Sequence, residues 1–265
     1  KTSFCSNIGD DHVGRDIVRT LHGGQSDTDL IRIHEGKKSN YHYVLWYEAD
    51  RTILIKHESY QYHWPRIASH NMPRWMYLSS LAESAEPLYG EIVDFLEKNN
   101  SVQLAFQPGT FQMKLGTHKL AKLYKKTAIL ACNKEEAQLI SGSSSDDITV
   151  LTKALHRLGP KTVVITDGPK GSYASDGTKL WFMPIYPDPA PPYERTGAGD
   201  AYTATFVAAI ADGEDIPAAM AWGSINSMGV VQKVGAQAGL LTKPEILDYL
   251  KKAPKDFVVN IVETA

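Results

Sequence analysis

The sequence predicts an α/β fold in which helices cover a mainly parallel sheet. Short apolar runs, typical of buried strands, alternate along the chain with amphipathic stretches of helical period, and such alternation is typical of strand–helix–strand units. The length of 265 residues suits one domain of this kind. A β-rich stretch at residues 31–62 interrupts the alternation. We therefore expect one domain over residues 1–265, with residues 31–62 as a β insertion.

The individual elements follow from these patterns. The predicted strands are residues 75–79, 102–106, 128–132 and 163–166. The predicted helices lie near residues 87–98, 135–141, 148–158, 200–211, 216–230 and 243–251. Pro87 and Pro217 stand at two of the helix starts, where proline is best tolerated because the first amide has no partner in the helix.

The β-rich stretch contains a predicted hairpin. Residues 41–47 and 51–57 are rich in β-branched and aromatic residues, and Glu48-Ala49-Asp50 forms a turn-like link between them. Alternation would put Tyr41, Tyr43 and Leu45 on one face and His42, Val44 and Trp46 on the other. Because both faces carry apolar residues, we expect at least one of them to contact protein. An edge hairpin of the main sheet is the alternative.

The composition excludes several classes of function. The formal net charge is −2 and no long basic run occurs, so nucleic acid is not an expected partner. No apolar run has the length of a membrane span and no signal peptide is visible, so we expect a cytoplasmic protein without a membrane partner. Cys5 and Cys132 lie in apolar runs, which favours buried, reduced thiols. The nine histidines lack metal-binding spacing.

A glycine turn before the helix at residues 200–211 carries the clearest chemical signal. The segment reads Thr196-Gly197-Ala198-Gly199-Asp200. Free amides and the helix dipole favour negative charge at such a turn, and the glycines let a ligand approach the backbone. A carboxylate beside an anion site makes sense if a hydroxyl must lose its proton there as a phosphate arrives. The alternative is an ordinary turn with Asp200 as a helix cap.

Four segments in order give the chain a family resemblance. They are N-K-E-E at 133–136, T-D-G-P-K-G at 166–171, E-R-T-G-A-G-D at 194–200 and V-G-A-Q at 234–237. In this order they resemble the ribokinase, or PfkB, family of carbohydrate and nucleoside kinases, and the resemblance extends from residue 7 to about residue 250. It implies a ribokinase-like three-layer α/β/α sandwich with a small β-strand lid at residues 31–62.

The resemblance implies ATP-dependent phosphorylation of a hydroxyl on a sugar or sugar acid. Asp200 matches the family's catalytic base, and the amides of Gly197, Ala198 and Gly199 match its anion hole. A nucleoside kinase is the alternative among enzymes. A non-catalytic ligand-binding relative is the alternative outside them, although the retained Asp200 and glycines argue against it.

The same resemblance implies residues that bind ATP and Mg²⁺. Asn133 and Glu136 match a motif that helps to place magnesium, in Glu136's case through water. They would also suit a helix capping box, and both roles are compatible. The residues that match the nucleotide contacts are Thr166, Gly168, Gly171 and Asn226. A hairpin turn and a buried helix asparagine are the structural alternatives.

Further matches concern a monovalent cation and the acceptor. Several family members hold such a cation beside the anion hole, and the corresponding positions are Glu194, Thr196, Val230, Lys233, Gly235 and Gly239. Glu194 replaces the more usual aspartate, so a K⁺ requirement is left open. Gln107 follows a strand where relatives contact the acceptor, and Tyr43 lies on the hairpin that matches the lid. We expect both to contact substrate and the lid to form a homodimer.

In the family, a first strand and a Gly-Gly substrate motif precede the segment that resembles residues 7–17. This sequence starts at Lys1, and Gly23-Gly24 stands too late and between different flanks to be that motif. We therefore expect that first strand, with part of the sugar site, to fall outside this sequence.

Overall fold

The computed structural model describes residues 1–47, 50–56 and 58–264. Glu48 and Ala49 of the predicted hairpin turn, and His57 at the end of its second strand, lie outside these ranges. The chain divides into two compact units, the first formed by Lys1–Met72 and Ala82–Ile92, the second by Pro73–Leu81 and Val93–Ala265. The single domain predicted over residues 1–265 stays a prediction.

The first unit contains a small parallel sheet, the helix between its two strands and the first part of a further helix, α2 (Glu86–Lys98). Its strands β1 (Ser6–Gly9) and β2 (Ile31–His34) pair in parallel, and α1 (His12–Gly23) lies between them in the chain. Asp11 caps α1 by accepting the Gly14 amide at 2.9 Å, and the Ser39 hydroxyl also donates to it at 2.7 Å. These hydrogen bonds lower the pKa of Asp11 to about 2, and the bond from the Gly14 amide has the largest effect. They tie the start of α1 to the segment before the hairpin.

The predicted hairpin is confirmed in the first unit. Strands β3 (Tyr41–Tyr47) and β4 (Asp50–Lys56) pair antiparallel and form a two-stranded sheet of their own. They are therefore not an edge of the larger sheet. Tyr43 stands opposite Leu54 on one face and Val44 opposite Ile53 on the other, and all four side chains are exposed.

The second unit is built on a seven-stranded sheet. Its strands are β5 (Trp75–Leu78), β6 (Gln103–Phe106), β7 (Thr127–Asn133), β8 (Thr162–Thr166), β9 (Ser172–Ser175), β10 (Lys179–Met183) and β11 (Asn260–Thr264). Their spatial order is β11-β10-β9-β8-β7-β6-β5. Strands β5 to β8 are parallel, and the remaining pairings are antiparallel. The parallel half places the carboxyl ends of four strands at one edge.

Helices cover both faces of this sheet. They are α3 (Thr110–Lys119), α4 (Ala121–Lys126), α5 (Lys134–Ser141), α6 (Ile148–His156), α7 (Ala198–Asp212), α8 (Ile216–Val231) and α9 (Lys243–Lys251). Ala105 on β6 packs in one cluster with Phe206 of α7 and Ile225 of α8. The next residue, Phe106, contacts the Tyr124 ring of α4 at 5.5 Å between centroids. Successive strand residues face opposite sides, so the unit has three layers.

The predicted α/β fold is confirmed, with corrections at particular elements. All four predicted strands and all six predicted helices are present within two residues at each end, and the helix at 87–98 is α2 (Glu86–Lys98). Helices α1, α3 and α4 and strands β1, β2 and β9 to β11 had not been predicted. Cys132 is buried, but Cys5 is exposed. The prediction of two buried thiols was therefore wrong for Cys5, which precedes a two-stranded sheet buried only at Ile8 and Gly9. In the described residues, no helix is both long and apolar enough to span a membrane.

Candidate active site

The glycine turn before α7 is held in a conformation that requires glycine at one position. Gly197 adopts φ +81° and ends the turn, and its carbonyl accepts the Ala201 amide at 2.8 Å. A Cβ on Gly197 would stand 2.5 Å from the Ala236 Cβ, which is closer than two non-bonded carbon atoms can approach. Gly197 is therefore fixed by backbone geometry and by the loop that follows α8.

The turn also leaves an open face at the start of α7. A Cβ on Gly199 would meet no atom within 4 Å. The Ala198 amide reaches the Arg195 carbonyl at 3.3 Å. The amides of Gly199 and Asp200 belong to the first turn of α7, where an α-helix offers amides without an acceptor inside the helix. These amides stand at the positive end of a 15-residue helix. The arrangement suits an anion, as the sequence pattern predicted for this turn.

Asp200 lies at this open face with one carboxylate oxygen held. It is the third residue of α7 and is exposed. Gln107, one residue beyond β6, donates from Nε2 to Asp200 Oδ1 at 2.8 Å. The hydroxyl of Tyr77 on β5 donates to Gln107 Oε1. Leu78 pairs with Phe106 at the ends of the two parallel strands, and the Gln107 amide donates to the Leu78 carbonyl at 2.9 Å. The ends of β5 and β6 therefore place Tyr77 and Gln107 side by side.

Asn133 and Glu136 form the capping box that the sequence offered as a compatible role. Asn133 Oδ1 accepts the Glu136 amide at 2.8 Å, and Glu136 Oε2 accepts the Asn133 amide at 2.9 Å. Burial raises the pKa of Glu136, and the negative charge of Asp200 raises it further. The two carboxylates are thus near enough to repel each other. A hard divalent cation would relieve this repulsion with the oxygen ligands it prefers.

The turn after β8 lies beside the capping box. Asn133 stands opposite Thr166 in the parallel pairing of β7 and β8. Gly168 has φ +53° and Gly171 has φ +102°, and a Cβ on Gly171 would collide with the Met183 carbonyl. The turn connects antiparallel strands, as the structural alternative proposed. Its exposed side, at Gly168, faces open space.

The side chain of Asn226 makes hydrogen bonds to other residues of the protein. It is buried on α8, where its Nδ2 donates to Thr205 Oγ1 at 2.6 Å and its Oδ1 accepts the Leu241 amide at 2.8 Å. This is the arrangement of a buried helix asparagine. A contact of Asn226 with the nucleotide stays a prediction.

Most residues predicted for a monovalent cation lie in two adjoining loops. Glu194 accepts the Gly235 amide through Oε1, and its own amide reaches the Val231 carbonyl at 3.4 Å. Gly239 packs against the backbone of Gly229 and Val230 so closely that a Cβ would collide. Thr196 precedes Gly197 in the first loop, and Lys233 is exposed in the second. The two loops meet beside the turn of α7, where Gly197 lies against Ala236.

The two predicted acceptor contacts lie in different compact units. Gln107 belongs to the second unit, where its amide binds Asp200. Tyr43 belongs to the first unit and is exposed on the hairpin. Tyr77 had been missed as a site residue, although it lies on the predicted strand 75–79, close to the carboxyl end of β5, where parallel sheets carry their ligand-binding groups.

Comparison with known proteins identifies the family. The model of the pfkB family of carbohydrate kinases matches residues 1–243. Ribokinase of Bacillus subtilis is 25% identical over 255 residues, which cover 93% of this chain and 80% of the relative. Ribokinase of Arabidopsis thaliana, solved with ribose and ATP, has a TM-score of 0.80 at 23% identity over 94% of this chain and 82% of its own. An Escherichia coli protein solved with ATP and Mg²⁺ has a TM-score of 0.73 at 16% identity and covers 94% of this chain and 83% of its own.

A ribokinase-like fold and an open glycine turn with a carboxylate at its mouth define a phosphotransferase that acts on an alcohol group. The chain belongs to the pfkB family of carbohydrate kinases.

Proposed function

We propose that this kinase transfers the γ-phosphoryl group of ATP to a hydroxyl of a sugar or sugar acid, with Asp200 as general base. One observation carries the proposal: an exposed carboxylate, fixed through one oxygen, stands in the first turn of α7, where a side chain on Gly199 would meet open space. The family match and the relatives solved with ATP support the same reaction.

In the proposed step, Asp200 accepts the proton of the acceptor hydroxyl as the oxygen attacks the γ-phosphorus. The bond from that phosphorus to the β–γ bridging oxygen breaks, and ADP leaves with the electron pair. The amides around Gly199 stabilise the negative charge of the transferring group. Ala198 contributes less, because its amide already reaches the Arg195 carbonyl.

The chain's own residues fit ATP and Mg²⁺. Glu136, whose half-buried carboxylate is destabilised by partial loss of water and by the neighbouring Asp200 charge, would hold the cation through water, with Asn133 fixing its orientation. When bound, Mg²⁺ neutralises phosphate charge. The turn at Thr166, Gly168 and Gly171 would line the nucleotide with its exposed side, and Asn226 would shape the wall behind it.

Three further assignments belong to this proposal. Carbonyls of the loops around Glu194 and Gly235 would bind K⁺. The exposed hairpin would join two copies of the chain, with Tyr43 near the acceptor. An ATP-consuming reaction fits the cytoplasm.

The experiment is a product assay with ATP and Mg²⁺ across pentoses, hexoses, sugar acids and nucleosides. ADP release would be followed by a coupled enzyme, and ³¹P NMR would identify the phosphate ester. We expect a phosphate monoester of a sugar or sugar acid in equal amount to ADP. Phosphorylation of nucleosides alone would instead establish a nucleoside kinase, and ADP release without an ester would contradict the proposal.

A further inference from the structure

The base position in the second unit is supported by a hydrogen-bonded chain of side chains. Tyr77 donates to Gln107 Oε1, and Gln107 Nε2 donates to Asp200 Oδ1 at 2.8 Å. The donors come from two adjacent strand ends, and the acceptor comes from α7. The sequence had predicted Gln107 as a substrate contact, but here its amide is used within the protein.

The chemistry of Tyr77, Gln107 and Asp200 fixes the direction in which these two hydrogen bonds are donated. An ionised carboxylate can only accept hydrogen bonds, so Gln107 must turn its NH₂ group towards Asp200. Its carbonyl oxygen then faces Tyr77 and needs a donor. The phenol supplies one, since loss of water around its hydroxyl and the charge of Asp200 both raise the pKa of Tyr77. Each group thereby specifies the orientation of the next.

We propose that Gln107 is a positioning residue for the base, with Tyr77 as the residue that orients it. Gln107 holds Asp200 Oδ1 and so leaves Oδ2 to accept the proton of the substrate. Within the described part of the chain, the charge of Asp200 acts on Tyr77 of β5 and on Glu136 of α5. This inference rests on the proposed role of Asp200.

The test compares Gln107→Leu with Gln103→Leu, the same substitution at the opposite end of β6. Loss of one hydrogen bond to a charged group corresponds to about a 10–100-fold fall in kcat. We expect this fall for Gln107→Leu, with the KM for ATP unchanged. Tyr77→Phe should give a smaller fall in the same direction. Gln103→Leu should keep wild-type kcat. An increase of the acceptor KM alone would make Gln107 a substrate contact and overturn the proposal.

The isosteric variant Gln107→Glu gives a second readout. At neutral pH its carboxylate repels Asp200, whereas its protonated form can donate to Asp200 as the amide did. Its kcat relative to wild type should therefore rise as the pH falls. A purely structural role for Gln107 predicts a ratio that does not change with pH, and that result would count against the proposal.

Two controls separate this inference from the proposed function. Gln107→Leu should have little further effect on kcat in an Asp200→Asn background, because the group that it positions is gone. An equal fall in both backgrounds would overturn the positioning role and leave the kinase assignment intact. A crystal structure of Gln107→Leu should show the Asp200 carboxylate displaced, whatever the activity. An unchanged carboxylate would refute the inference even if the wild-type protein phosphorylated no sugar.

Discussion

Gln107 Nε2 lies 2.8 Å from Asp200 Oδ1, although 93 residues separate them in the chain. The contact joins the carboxyl end of the parallel sheet to the first turn of α7. The sequence showed a strand end and a glycine turn as separate features. Their meeting at one carboxylate is what makes the second unit a candidate catalytic unit.

The two glycines of the turn should respond differently to substitution. Gly199→Val should lower kcat at least 100-fold, because its side chain would fill the open space where the phosphoryl group is proposed to lie. Its melting temperature should change little. Gly197→Ala should instead lower the free energy of unfolding by more than about 1 kcal/mol, since φ is +81° there. Steady-state kinetics and thermal unfolding of both variants give the answer. Normal turnover by Gly199→Val would contradict the proposed anion site at this turn.

Glu136→Gln should make the protein more stable and less active. Burial and the charge of Asp200 raise the pKa of Glu136 in the folded chain, so its ionised form lowers stability at neutral pH. At a pH below the ordinary pKa of glutamate, about 4, Glu136 is protonated in both the folded and the unfolded chain, and this loss of stability disappears. The melting temperature of the variant should therefore exceed that of wild type at pH 7.5 and equal it near pH 4. A gain of 1 kcal/mol corresponds to about 2–4 °C.

The kinetic side of the Glu136→Gln prediction is a higher Mg²⁺ requirement. The concentration of Mg²⁺ for half-maximal rate should rise, because the variant has lost the carboxylate proposed to place the cation. Glu135→Gln, on an exposed neighbour in the same helix, is the matched control. If both variants responded alike in stability and in Mg²⁺ dependence, Glu136 would have no special role.

The hairpin should mediate a homodimer. Tyr43 is 62% exposed, Leu45 55% and Leu54 50%, and Tyr43 and Leu54 are direct cross-strand neighbours. An isolated two-stranded sheet with exposed apolar residues gains stability from a partner. Tyr43→Asp together with Leu45→Lys should weaken the dimer and raise the KM for the acceptor more than that for ATP. Sedimentation equilibrium and kinetics measure these two effects.

The control for the hairpin is the double variant Leu139→Asp with Val150→Lys, at exposed apolar positions of α5 and α6. It should leave both the association and the acceptor KM unchanged. A wild-type monomer at high micromolar concentration would refute the dimer. An unaltered acceptor KM in the hairpin variant would leave the hairpin without a role at the acceptor.

Helices and strands with a strong periodic pattern of apolar residues could be predicted, whereas those fixed by tertiary contacts could not. The helix predicted near residues 243–251 lies at Lys243–Lys251, and Pro244 and the Thr242–Glu245 capping box mark its start. Helix α3 was missed because Gly116, at φ +82°, interrupts it and its apolar residues follow no helical face. Strands β9 to β11 were missed because each has only four or five residues, which leaves little local pattern.

The candidate site divides in the same way. Asp200, Gly199 and Glu136 could be predicted because contiguous motifs carry them. The contact of Gln107 with Asp200 could not, because no local pattern encodes an amide that meets a carboxylate 93 residues away. Tyr77 was missed for the same reason. The structure of the second unit was needed to bring these residues together.

The most direct test of the central claim is the turnover of Asp200→Asn, measured as ADP and sugar phosphate formed from ATP on the best acceptor. The variant keeps the size of the side chain but cannot accept the proton. We expect kcat to fall by about 10²–10⁴-fold, with a KM for ATP close to that of wild type. Asp212→Asn, at the exposed far end of α7, should keep full activity. An Asp200→Asn variant that retained more than about a tenth of wild-type kcat would contradict the account, since general base catalysis is worth about 10²–10⁴-fold.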